Sequence, residues 1–110
     1  MIHYLADYRV AVLIAHDDRR PISTGDRRNG PQTEMAAAAA SFDAYAGDWA
    51  ITGEQELTHK LDLCSFENDR RADYVRQVSR ASANLVLATP LVAMADGVRQ
   101  MTLEWCKLER

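Results

Sequence analysis

One apolar run, residues 7–18 (Asp-Tyr-Arg-Val-Ala-Val-Leu-Ile-Ala-His-Asp-Asp), constrains the fold more than any other stretch of the chain. It enters and leaves on acids, is too short to span a membrane, and carries β-branched residues that a helix accommodates poorly. It therefore predicts a strand buried on at least one face. Alternation puts Val10, Val12, Ile14 and His16 on one face and Arg9, Ala11, Leu13 and Ala15 on the other. The first set is a core face ending in a histidine, so His16 is expected at the rim of any cavity that face lines.

The rest of the chain is read around that strand. Residues 1–5 alternate weakly and predict a short strand, paired with the main one as a hairpin. Residues 19–31 turn to Arg, Pro, Ser, Thr, Gly and Asn, the composition of a surface loop. Pro31 in a first helical turn, Glu34 near the N-terminus and the five alanines 36–40 then predict a helix over 31–46. On it Met35, Ala38, Ala39, Phe42 and Tyr45 share one side, and Gly47 is placed to end it. Beyond the helix come short strands at 48–52, 56–65, 74–80, 85–89 and 98–108, with Asp96-Gly97 as a hairpin turn. About seven strands and one helix in 110 residues predict a single, mainly β domain over 1–110, an antiparallel sheet curled into a barrel or sandwich.

Charge and cysteine usage narrow the partners. A net charge of -3 disfavours nucleic acid and anionic membrane, leaving small molecules or proteins. The N-terminus carries no export pattern, so the cytoplasm is the expected location. Cys64 and Cys106 lack metal-ligand spacing and are expected as reduced thiols. The three histidines, His3, His16 and His59, are far apart and have no cysteine cluster beside them, so no metal and no cofactor is expected. Asp-Arg-Arg occurs three times, at 18–20, 26–28 and 69–71, each time in a loop with its own counter-charge, as solvated turns do.

A succession of residues resembles the small single-domain lipocalin-like family of bacteria and fungi. It runs from Tyr4 and Asp7 through Val10-x-Val12-x-Ile14 into His16-Asp17-Asp18-Arg19, then Ile22, Gly25 and Asp26. It resumes at Phe42, Tyr45-Ala46-Gly47, Trp49 and Ile51, Thr58-His59, Val75-Arg76, Leu85, Leu87, Thr89-Pro90 and Leu103-x-Trp105. The resemblance implies an antiparallel lipocalin-like β-barrel with one α-helix capping an end. Three features depart from the family pattern: the opening Gly-x-Trp strand is missing, His16 stands where an arginine is usual, and Asn68-Asp69-Arg70 replaces a Pro-Asn-Trp-like loop. An edge left by the missing strand is expected to be covered by a second copy, most simply in a homodimer.

If the alternation holds, one sheet face gathers Trp49, Ile51, His59, Leu61, Leu63, Tyr74, Arg76, Val78, Leu85, Leu87, Leu103 and Trp105 with the core face of residues 10–16. His59 and Arg76 are the ionisable exceptions on it, and each must be paired, hydrated or ligand-bound. Three functions follow. The first is binding of a small apolar or aromatic molecule, with Tyr4, His16 and Tyr45 near the pocket mouth and Trp49, Tyr74 and Trp105 along its walls. The second is a cofactor-free cyclase, isomerase or dehydratase of secondary metabolism, with His59 as acid or base and Arg76 stabilising an enolate or carboxylate. The third is a protein-interaction module using the open sheet edge. A purely structural role, in which His59 and Arg76 hydrogen-bond to a neighbouring strand or to acids such as Asp62 or Glu104 and meet no ligand, stands beside all three. In the same register Cys64 and Cys106 face away from His59.

Overall fold

The computed structural model describes residues 1–90 and 92–107. The chain is mainly β. Its strands are β1 (Ile2–Tyr4), β2 (Arg9–Ala15), β3 (Phe42–Gly53), β4 (Glu56–Cys64), β5 (Asp73–Ala81), β6 (Asn84–Ala88), β7 (Val92–Met94), β8 (Gly97–Arg99) and β9 (Thr102–Trp105), with one α-helix, α1 (Gln32–Ala40). Seven strands form one antiparallel sheet in the order β1-β2-β3-β4-β5-β6-β9, and β7 and β8 pair separately as a hairpin. Each strand but the last thus lies beside its neighbour in sequence, as a meander requires. The sheet curls into a half-barrel whose end strands, β1 and β9, both border the concave cleft, through Ile2 and through Leu103 and Trp105. They remain the two edges of the sheet.

The core is thin and sits on the concave face. Val10 and Val12 of β2, Leu57, His59 and Leu61 of β4, and Leu87 of β6 are buried there, in the alternation that the sequence predicts. The β2–β3 register (Val12↔Tyr45, Val10↔Gly47) and the β4–β5 register (Leu57↔Arg76, His59↔Tyr74) carry this inward set from strand to strand. The β6–β9 register (Leu85↔Trp105, Leu87↔Leu103) completes it.

The helix is shorter than predicted. It ends at Ala40, and Phe42 already opens β3, so Phe42 and Tyr45 lie on a strand. The alanines supply helix propensity only as far as they run. After them, pairing of Phe42 with Ala15 and of Tyr45 with Val12 draws the chain into the sheet. Loop contacts hold the helix at both ends: in its first turn Glu34 accepts hydrogen bonds from the Ser23 amide (2.7 Å) and hydroxyl (2.8 Å), and near its last, Arg19 donates to Ala38 O (3.0 Å). The strand predicted over 98–108 divides into β8 and β9, and its last residue, 108, lies outside the described residues.

Gly47 is a second correction, since it does not end a helix. It sits in the middle of β3, where a β-carbon would lie 1.8 Å from the Lys60 carbonyl oxygen. At this point β4 carries a bulge: Ala46 pairs with Leu63 and Gly47 with Leu61, leaving Asp62 extra. The extra residue reverses the alternation beyond it. Leu63 therefore faces outward, 68% exposed, and Cys64 turns inward, both opposite to the simple period-two reading. Ile51, also predicted inward, is 77% exposed near the far end of β3, where it borders a shallow groove.

Candidate functional site

The concave face holds a cleft of about 210 Å³, walled by Val12 and Ile14 of β2, Leu87 of β6 and Leu103 and Trp105 of β9. Tyr45, Cys64, Tyr74 and Arg76 add its polar groups, and Asp43, Phe66, Thr89 and Met101 stand around the opening. Such a space is below the ~300–1,000 Å³ of pockets for drug-sized ligands, so its occupant is small or enters by one end. A second, more open groove of about 330 Å³ lies on the other side of Tyr4, between Trp49, Ile51, Leu57 and Val78.

His59 separates the two. It is 1% exposed, and both its ring nitrogens are taken: Nε2 bonds Tyr4 Oη at 2.7 Å and Nδ1 bonds Tyr45 Oη at 2.7 Å. A neutral imidazole donates from one nitrogen and accepts at the other, so one tyrosine donates to the ring and the other accepts from it. Burial, reinforced by the nearby Arg76 cation, pushes the His59 pKa down to about 4. The ring is therefore neutral at neutral pH, and the chain Tyr4–His59–Tyr45 is an uncharged hydrogen-bonded relay. Burial raises both tyrosine hydroxyls above their ordinary value, opposed by the Arg76 charge and, at Tyr45, by a hydrogen bond with Arg76, so both stay protonated at neutral pH.

Aromatic contacts fix these groups. The Tyr4 ring meets Trp49 edge to face at 5.3 Å, and Tyr45 meets Tyr74 in the same way at 5.2 Å. The Tyr74 hydroxyl donates to Asp69 Oδ2, and the Arg76 guanidinium lies 4.7 Å from the centre of the Tyr74 ring. Arg76 donates to the Val75 carbonyl (3.1 Å), and among the described residues it has no carboxylate within ion-pair distance. The acids considered as structural partners are engaged elsewhere: Asp62 with Arg9 at 2.6 Å and Glu104 with Asn84 at 2.9 Å. Among the described residues the buried Trp105 indole N–H has no acceptor.

Seven of the eight residues singled out from the sequence therefore lie on the concave side. Tyr45, Tyr74, Arg76 and Trp105 line the cleft, Tyr4 and Trp49 line the groove, and His59 joins the two. His16 does not join them. It is exposed beyond the end of β2, where its amide bonds Ser41 O at 2.9 Å, because β2 stops at Ala15 and the chain turns away. Sequence reasoning missed Cys64, whose inward turn depends on the Asp62 bulge; burial, aided by Glu67 and Asp69, raises its thiol pKa. The one available signal was Gly47 within a β-rich stretch, where an isolated glycine marks a bulge or close backbone approach.

Among the described residues, no group of three or more His, Cys, Asp or Glu side chains is placed to hold a metal ion. Likewise among them, no helix is long and apolar enough to cross a membrane. A family model described as a lipocalin-like domain matches residues 1–108. Comparison with curated proteins and with solved structures finds no significant match.

Proposed function

The chain belongs to the lipocalin-like domain family, and from that premise we propose that it binds a small, largely apolar molecule in the concave cleft. One observation carries this reading: apolar walls from β2, β6 and β9 converge on a few polar groups, with Arg76 among them and no acid paired to it among the described residues. Apolar walls with few, placed polar groups are what a ligand pocket needs. Native mass spectrometry of the purified protein, before and after denaturation and with a panel of small aromatic probes, tests it. A bound mass released on unfolding, or uptake of a probe, is expected. A protein that arrives empty and takes up none of the panel would overturn the proposal.

A catalytic role is the second reading, favoured by the Tyr45 hydroxyl standing in the cleft with His59 behind it. Neither nitrogen of His59 is open to a substrate, so in a cyclase, isomerase or dehydratase the proton would pass through Tyr45. His59 would then act by passing the proton on, and Arg76 would face the developing oxyanion.

The exposed surface supports a homodimer. The chain exposes 8713 Å², whereas a compact monomer of 12.3 kDa exposes about 6,100 Å². The excess is roughly three times what one partner contributes to a standard interface. Two unpaired sheet edges and the exposed Leu13, Leu63 and Phe66 give a second copy apolar surface to cover. The two free thiols suit a reducing, cytoplasmic setting.

A further inference from the structure

We infer that the cleft is built for an anion: a small apolar acid, or another delocalised oxyanion, whose oxygens are taken by Arg76 and Trp105. The inference rests on the cleft-binding reading and names its ligand class. It starts from a cation without a counter-charge and an indole N–H without an acceptor, both among the described residues. Arg76 is half-buried on β5 and holds five N–H donors in a planar fork, yet its partners, the carbonyl of its own neighbour Val75 and the Tyr45 hydroxyl, are both uncharged. Among the described residues no carboxylate pairs with it: Asp69 accepts from the Tyr74 hydroxyl, Asp62 is bonded to Arg9, and Asp43, which also borders the cleft, makes no ion pair with it. A cation drawn this far from water normally has a partner.

Trp105 supplies the second donor. Its ring lines the cleft from the edge strand β9, and its Nε1 is buried with no acceptor among the described residues. Buried indole N–H groups are usually satisfied, and an orphan costs free energy that an entering oxygen returns. The chain as a whole is acidic, with a net charge of -3, so this is local and not a general attraction for anions. The relay does not compete: His59 is uncharged and both its nitrogens are occupied. A carboxylate fits the guanidinium fork by two parallel hydrogen bonds, which neither an alcohol nor a hydrocarbon can make.

The test compares two probes of one shape, 4-isopropylbenzoate and 4-isopropylbenzyl alcohol, by calorimetric titration and by amide shifts in nitrogen-15 spectra. The carboxylate is expected to bind at least tenfold more tightly, with shifts clustered at Tyr45, Arg76, Leu87 and Leu103. R76Q is expected to abolish that preference by weakening the carboxylate at least tenfold. W105F, which keeps a ring but removes the N–H, is expected to weaken the carboxylate three- to tenfold. Equal affinity of the two probes at the cleft, or a preference that survives in R76Q, would overturn the anion inference while leaving the cleft reading intact. Absence of cleft shifts with either probe would count against both.

Discussion

Acidification should unfold this protein through one residue before its carboxylates titrate. Unfolded, the His59 imidazole takes up a proton at about 6.5; folded, it resists protonation down to about 4. Between those values the unfolded chain binds more protons, so stability is complete above the unfolded pKa and is lost as pH falls toward the folded one. At about 1.4 kcal/mol per pH unit, the 2.5-unit gap amounts to about 3 kcal/mol, a large share of the ~5–15 kcal/mol that holds a typical domain. The charge created would be 1% exposed, hydrogen-bonded to two tyrosines and close to Arg76, with no carboxylate bonded to it among the described residues. Asp26, Glu34 and Asp62, whose pKa values are lowered by their hydrogen bonds, lose their contribution only from the ordinary carboxylate range downward and so touch this window at its acid end alone. Urea unfolding followed by tryptophan fluorescence at pH 7, 6, 5 and 4.5 should show the midpoint falling steadily. His59→Gln keeps a donor and an acceptor but cannot titrate in this range. It should be less stable at pH 7 and show a shallower slope. A wild-type midpoint that is flat from pH 6.5 to 4.5, or a variant with the same slope, would refute the reasoning.

Other outcomes follow from the same geometry. Tyr4→Phe or Tyr45→Phe leaves one nitrogen of the buried ring without its partner and should cost about 1–3 kcal/mol each by chemical denaturation; a loss under a few tenths would contradict the relay. Gly47→Ala places a methyl group against the Lys60 carbonyl and should cost about 3 kcal/mol or more, or prevent folding, as read by thermal melting. Maleimide labelling at pH 7.5 should reach the exposed Cys106 well before Cys64, whose thiol faces the cleft with a raised pKa. Light scattering at micromolar concentration should give twice the chain mass; a monomer would count against the second copy.

Much of the half-barrel was legible in the sequence because most of its strands keep one period. The inward set Val10, Val12, His59, Leu61, Tyr74, Arg76, Leu87, Leu103 and Trp105 alternates within each strand, and the observed register keeps all of them on the concave side. The reading failed where a local rule was ambiguous. After the alanines, Phe42-x-x-Tyr45 fits a helical spacing, and only its pairing with β2 decides for a strand. The Asp62 bulge leaves no mark in the hydrophobic pattern, so Leu63 and Cys64 were assigned to the wrong faces. His59 was recognisable as an ionisable residue facing inward, but its partners were not. Tyr4 is 55 positions away and Tyr45 is 14, and only the curl of the sheet brings both hydroxyls to one ring. That no described carboxylate pairs with Arg76 was equally invisible, because it depends on where Asp62, Asp69 and Glu104 are held.

The central claim is that the concave cleft, with its neutral relay behind it, is the binding site. Its most direct test is a nitrogen-15 amide spectrum recorded across a small set of single-ring aromatic compounds, with the shifts mapped onto the fold. Binding in the cleft predicts that any compound that binds shifts Ile14, Tyr45, Arg76, Leu87 and Leu103 together and leaves the outward Arg9, Leu13 and Leu63 in place. Shifts confined to the outer face, or a cleft that answers to no compound, would contradict it.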